Sequence, residues 1–245
     1  MPYLANRDSI LEALQTHPEQ AGKLWIEAGH QRVFDDLVQE AKKAGVTFRV
    51  IPREEFVRRF KEAHHHVCLE REDFSYADPD GVLAALSAAN EPLITVFDAV
   101  FDPQNLGNIV RTAACVGVDA LALPKDRSCG VTDVVSNVAR GGTEHVRVTR
   151  VTNVARYLDQ LKDRNIFCYG LDERGNKEIW NVDLTGPVCL VFGSEEGLRR
   201  LTRERCDEVV RIPTNPAFPT LNVATSFAIA VYEVLRQRAA KRRSR

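Results

Sequence analysis

The chain has 245 residues, 44% of them hydrophobic, and sets 33 Lys and Arg against 34 Asp and Glu for a formal net charge of -1. That length suits one large globular domain or two modest ones, and the near-zero balance excludes a protein that coats nucleic acid by bulk charge. The longest apolar runs, such as VCLVFG at 188–193, fall far short of the ~20 residues a bilayer span needs, and the amino terminus carries charge where a secretory leader is apolar, which predicts a cytoplasmic protein.

In chain order, NRDSILEAL (6–14) reads as a capped amphipathic helix, KLWIEAG (23–29) as a strand, VFDDLVQEAKKAG (33–45) as a helix stopped by glycine and VTFRVIP (46–52) as a strand. This small α/β unit closes near HVCLE (66–70). Trp25 and Phe34 occupy apolar periodic positions and belong to its core rather than to a base-stacking platform. His64, His65 and His66 read as a polar strand edge, with an RNA-facing patch as the alternative. Consecutive strand residues face opposite sides and cannot all converge on one metal ion, so no metal is expected. The charged, aperiodic REDFSYADPDG (71–81) starts a link, and the chain divides into a substrate-binding domain at 1–75, a linker at 76–90 and a larger domain at 91–245.

Alternation then resumes: PLITVFDAV, a helix from about 105, ALALP, a helix near 131–139, HVRVT, a helix near 153–163, IFCYGL, CLVFG, a short helix, EVVRIP and a long last helix. Continuously apolar strands separated by helices predict a parallel sheet covered on both faces, which binds its ligand at the carboxyl edge. Six cysteines stand apart with no C-x-x-C pair, as reduced thiols do rather than a disulfide framework or zinc site. The tail RQRAAKRRSR (236–245) holds six basic residues and no acid, and reads equally as a solvated helix end or a phosphate contact.

Three segments that follow strands of this sheet have more polar residues than packing requires. In FDPQNLGNIVRTA (101–113), Leu106, Ile109, Val110 and Ala113, continued by Ala114, define the buried stripe, so Asn108 and Arg111 project elsewhere; Asp102 and Pro103 mark the helix start and Asn105 can satisfy free amides there. The others are FGSEEGL (192–198) and IPTNPAFPTLNVATSFAIAVYE (212–233). A dinucleotide-dependent oxidoreductase, which the α/β alternation alone would also suit, carries little weight because no G-x-G-x-x-G follows the first strand of the sheet.

Together these three segments, with PKDRS, LWIEAGH and HHHVCLE between and before them, resemble the SpoU (TrmH-like) RNA ribose 2'-O-methyltransferases of the SPOUT superfamily, and within them the bacterial branch that modifies a guanosine of 23S rRNA. The resemblance covers essentially the whole chain. It implies an α/β fold, a parallel-sheet SPOUT domain whose last helix threads a trefoil knot plus a small RNA-binding α/β domain, working as a homodimer that transfers a methyl group from S-adenosylmethionine to RNA.

It also implies the site. Arg111 would bind the target phosphate and hydroxyl and stabilise the developing alkoxide, since a pKa above ~12 makes arginine a poor proton acceptor; Asn105 would orient its guanidinium. Glu195 would hydrogen-bond within the site, Thr220 would supply a hydroxyl, and Asn222 would cap the last helix while reaching the reaction centre. Gly193, Ile212 and Leu221 would hold the cofactor, with Thr143 beside it in the tight Gly141–Glu144 turn. The second segment departs from the family's G-x-E-G-x-G by one residue, and this shortening motivates an alternative, an RNA-binding assembly protein with weakened catalysis; since the sequence does not specify which RNA is methylated, a tRNA ribose methyltransferase is the other alternative.

Overall fold

A computed structural model describes residues 2–60, 65–194 and 196–244. In chain order its first elements are β1 (Tyr3–Leu4), α1 (Arg7–Thr16), β2 (Ala21–Glu27), α2 (Asp35–Lys43), β3 (Phe48–Ile51), α3 (Arg53–Arg59) and β4 (Val67–Arg71). They are followed by α4 (Pro79–Ala88), β5 (Leu93–Phe97), α5 (Pro103–Val116), β6 (Ala120–Pro124), α6 (Asp133–Ala139), β7 (Arg147–Val151), α7 (Val154–Lys162) and β8 (Phe167–Leu171). The chain ends with β9 (Lys177–Glu178), β10 (Val188–Phe192), α8 (Arg200–Arg205), β11 (Glu208–Arg211) and α9 (Val223–Arg243). Two compact units result, one of residues 1–75 with 131–145, the other of 76–130 with 146–245.

The first unit is a four-stranded sheet in the order β1-β4-β2-β3, antiparallel except for the β2–β3 pair. Ile10 and Leu14 of α1 and Leu37 and Ala41 of α2 close over Leu24 and Ile26 of β2, so both helices spend their apolar stripe on one face of the sheet. Trp25, Phe56, Phe60 and Cys68 form a second core on the other face, with the Arg59 guanidinium over the Trp25 ring at 4.1 Å. Trp25 and Phe34 are both buried, as their spacing requires. His65 and His66 lie in the bend before β4 rather than on a strand, and His64 falls outside the described residues.

The second unit is a seven-stranded, wholly parallel sheet in the order β7-β6-β5-β10-β8-β11-β9. Its central strands β5 and β10 are buried along their whole length, which is why they read as unbroken apolar runs. Phe227 of α9 packs against Phe97 and Phe192, centroids 5.7 and 5.6 Å away, and docks the last helix on the middle of the sheet. Losing such a buried ring costs about 3–5 kcal/mol.

Each strand and helix expected from periodicity is present, and three departures have physical causes. The expected linker at 76–90 is mostly α4: Asp78 accepts from the Gly81 N–H, Pro79 opens the first turn, and Val82, Leu83 and Leu86 are buried against the sheet. The charges before it mask this short apolar stripe. Residues 131–145, expected in the larger domain, pack with the first unit, where the Asn137 side chain accepts from the Ala5 and Asn6 amides. The basic tail is largely tied to its own unit: buried Arg238 donates to the Pro92 and Gly186 carbonyls, Arg236 pairs with Glu233, and Lys241 donates to the Thr185 hydroxyl.

Candidate active site

Strands β8, β10 and β11 end side by side at Leu171, Phe192 and Arg211. Beyond these carboxyl ends opens a cleft of about 490 Å³, lined by Leu171, Gly193, Ile212, Phe218, Leu221 and Asn222 among others. Parallel sheets expose backbone amides and loop residues at this edge, and the volume lies in the range of small-molecule sites.

The loop at 193–199 is held from below by two carboxylates that end apolar strands. Asp172 accepts from the Leu198 N–H at 3.2 Å and, through both oxygens, from the Arg174 guanidinium at 2.8 Å; Asp98, one residue past β5, accepts from the Arg199 N–H at 3.0 Å and Nε at 2.8 Å. Both side chains are fully buried. Burial pushes the Asp172 carboxyl up, but the hydrogen bonds from Arg174 and the Leu198 amide, with the Arg174 charge, outweigh it and hold it down at about 2. Gly193 is required here for space: a Cβ would stand 2.2 Å from the Gly197 carbonyl carbon and oxygen. Gly197 itself turns through φ 88 with its amide on the Ser194 carbonyl.

Helix α5 begins at Asp102, whose side chain accepts from the Gln104 N–H, and ends on Gly117 at φ 73. Asn105 is therefore free of the capping role. Its Oδ1 accepts from Asn222 Nδ2 at 2.9 Å, while Asn222 Oδ1 caps α9 by accepting from the Ala224 and Thr225 amides. First and third segments thus meet through one side-chain pair. Arg111 is exposed and makes no hydrogen bond or ion pair among the described residues, so Asn105 does not orient it. Six residues at ~100° each set the two side chains about 120° apart around the helix, which explains the separation.

The cleft gathers four expected residues from the second and third segments, Gly193, Ile212, Leu221 and Asn222, together with Thr220 on the exposed loop before α9. Asn105 joins them through Asn222. Thr143 belongs to the first unit, where its buried hydroxyl donates to Glu144, itself paired with Arg71 at 3.0 Å. Glu195 lies outside the described residues. Sequence reasoning missed Asp98, Asp172, Arg174 and Arg199; the signal was an aspartate directly after each of two apolar strands, in TVFD and YGLD.

An all-parallel sheet with a carboxyl-edge cleft fed by the loops after β8, β10 and β11 makes this an α/β protein of the class that binds its ligand at the carboxyl ends of its strands. Residues 92–232 match the SpoU rRNA methylase family, and residues 7–77 match the family described as RNA 2'-O ribose methyltransferase substrate binding. The chain belongs to the SpoU rRNA methylase family. It is 38% identical over 235 residues to a 23S rRNA (guanosine-2'-O-)-methyltransferase of Coxiella burnetii, covering 95% of this chain and 94% of that one. The fold is that of the SpoU methyltransferase AviRb from Streptomyces viridochromogenes, with a TM-score of 0.82 at 22% identity over 98% of this chain and 90% of the other. The AviRb complex with the cofactor AdoMet gives a TM-score of 0.79 at 21% identity over 97% and 90%.

Proposed function

We propose that this protein transfers the methyl group of S-adenosylmethionine to a ribose 2'-hydroxyl of RNA, a guanosine of 23S rRNA in the first instance. The observation that carries the reading is the Asn222–Asn105 bond, which joins the cleft at the ends of β8, β10 and β11 to the helix that displays Arg111, exposed and without a partner among the described residues.

The residues present fit the donor. Gly193 keeps the floor of the cleft open, Ile212 and Leu221 offer apolar walls and backbone groups, and Gly193 and Gly197 let a nucleoside approach the main chain of the second loop closely. Bound S-adenosylmethionine supplies a methyl group already activated by its sulfonium charge. The protein's own work is then to hold the hydroxyl in line and to stabilise charge developing on its oxygen. Arg111 binds the target phosphate and that oxygen as a planar cation, with the proton passing to phosphate or water. Asn222 keeps the third segment against α5 so that cleft and guanidinium hold their spacing, Thr220 supplies a hydroxyl at the rim, and Glu195 a carboxylate on the second loop.

The same reading runs the last helix through a knot and pairs two copies through α5 and α9, where Phe101 just before α5 and Ile229 and Tyr232 on α9 are apolar for a free surface. No described helix is long and apolar enough to cross a membrane, and the protein works in the cytoplasm.

Transfer of labelled methyl from S-adenosylmethionine to unmodified 23S rRNA, followed by mapping of the ribose, tests this. Label on a single guanosine is expected. Label on transfer RNA alone would move the substrate, and RNA binding with neither donor binding nor label would replace the enzyme by an assembly factor.

A further inference from the structure

Glu27 at the end of β2, His30 three residues on and His66 before β4 come together in the first unit, each from a different local structure. His66 Nδ1 lies 2.9 Å from Glu27 Oε2, the His30 and His66 rings stack with centroids 4.0 Å apart and planes 4° from parallel, and one donor atom from each residue falls within 4.8 Å of the other two. The Glu27 carboxylate is almost wholly buried, and the hydrogen bond from His66, against the opposing effect of burial, keeps it below its usual range. Arg53 is the other charge facing it, Nε at 4.0 Å.

Two features need an explanation. A proton shared by Glu27 and His66 accounts for that pair but leaves His30 Nδ1 buried without a hydrogen-bond partner. His66 also holds φ 59, a left-handed conformation that costs a non-glycine residue on the order of 1 kcal/mol and persists only where surroundings hold it. A divalent ion uses all three groups at once and rewards the strained bend that brings His66 over Glu27.

We propose that Glu27, His30 and His66 form a binding site for a divalent transition metal, with zinc the best match. Two imidazole nitrogens and one carboxylate oxygen are a zinc donor set that leaves a fourth position for an exchangeable ligand. The Glu27–His66 spacing is already short enough for two ligands of one ion, and the remaining separations close by rotation of the two half-buried imidazoles. The run of three histidines cannot converge alone. His66 does so with partners 39 and 36 residues upstream in sequence, and the fourth position is left for a water or a phosphate oxygen.

The test is calorimetric titration of the chelator-stripped full-length protein with zinc sulfate, repeated with cobalt(II) followed by visible absorption, for the wild type, His30→Ala and His66→Gly. His66→Gly suits the φ 59 backbone and keeps the fold readable should His30→Ala unfold. One saturable equivalent is expected in the wild type, with tetrahedral-type cobalt bands, weakened at least about tenfold in each variant at unchanged circular dichroism. Absence of saturable binding in the wild type, or undiminished binding in His66→Gly, which would assign the ion to the cysteines, overturns the site. Neither readout depends on methyl transfer.

Discussion

Asn222 reaches from the cap of α9 to Asn105 on the first turn of α5, Nδ2 to Oδ1 at 2.9 Å, and so one side chain both starts a helix and latches it to another. The two residues are 117 positions apart in sequence. Because the α9 cap lines the cleft and α5 carries Arg111, this bond ties the cleft to the helix that displays the guanidinium.

The two ends of the latch are therefore expected to fail differently. Asn222→Ala removes a cap and the bridge, and should lower stability by about 1 kcal/mol as well as activity. Asn105→Ala leaves the cap intact, and should lower kcat/KM with little change in Tm. A double-mutant cycle on kcat/KM should give a coupling of at least about 0.5 kcal/mol, and additive single effects would show that the bridge does not transmit.

Arg111 has no partner among the described residues, so its substitution costs the fold nothing. Arg111→Lys keeps the charge and loses the planar fork. We expect turnover with saturating RNA to fall by about 10²-fold or more, with S-adenosylmethionine affinity unchanged by calorimetry, because the loss of one preorganised donor is felt in the transition state. Near-normal turnover would remove Arg111 from the reaction centre.

What could be read before the structure follows the range of the interactions involved. Helix α5 was legible from Asp102-Pro103, the apolar spacing and Gly117, all of which act within a few residues. The sheet strands were legible because burial on both faces leaves a continuous apolar run. The role of Asn105 was not: a local cap and a bond to Asn222 look identical in sequence, and the choice is made by Asp102 taking the cap first. The clamp on the second loop was hidden for the same reason, since Asp98 meets Arg199 across 101 positions and Asp172 meets Leu198 across 26. Helix α4 was lost behind neighbouring charges, and the Glu27–His30–His66 cluster because only one of three adjacent histidines takes part.

Gly193 offers a steric test of the cleft. An added Cβ would overlap the Gly197 backbone at 2.2 Å, and backbone on both sides leaves no flexible side chain to yield. Gly193→Ala should therefore open the loop, weakening S-adenosylmethionine binding by at least about tenfold, the effect of a misplaced shell around a site, while far-ultraviolet circular dichroism stays that of the wild type. Unaltered affinity would mean the donor does not rest on this loop.

The Asp172 clamp makes a prediction in pH. Its carboxyl titrates near 2 in the folded protein and near 3.9 in an unfolded chain. A depressed folded value means that ionised Asp172 stabilises the fold fully above about pH 4 and that this contribution disappears as pH falls toward 2. Asp172→Asn keeps the shape but cannot accept at both oxygens from Arg174 and the Leu198 amide. It should be less stable than the wild type at neutral pH by about 1–3 kcal/mol, the cost of weakening hydrogen bonds to a buried charged group. Other carboxylates titrate in the same acid range, so the quantity to follow is the difference in unfolding free energy between wild type and variant, measured in urea from pH 7 down to 2.5. That difference should hold constant above pH 4.5 and shrink below it, and the protection of the Leu198 amide against hydrogen exchange, taken relative to its intrinsic rate at each pH, should fall over the same interval. A difference that does not change with pH would mean Asp172 acts by packing alone, and the second loop would then owe its shape to Gly193, Gly197 and the Asp98–Arg199 pair.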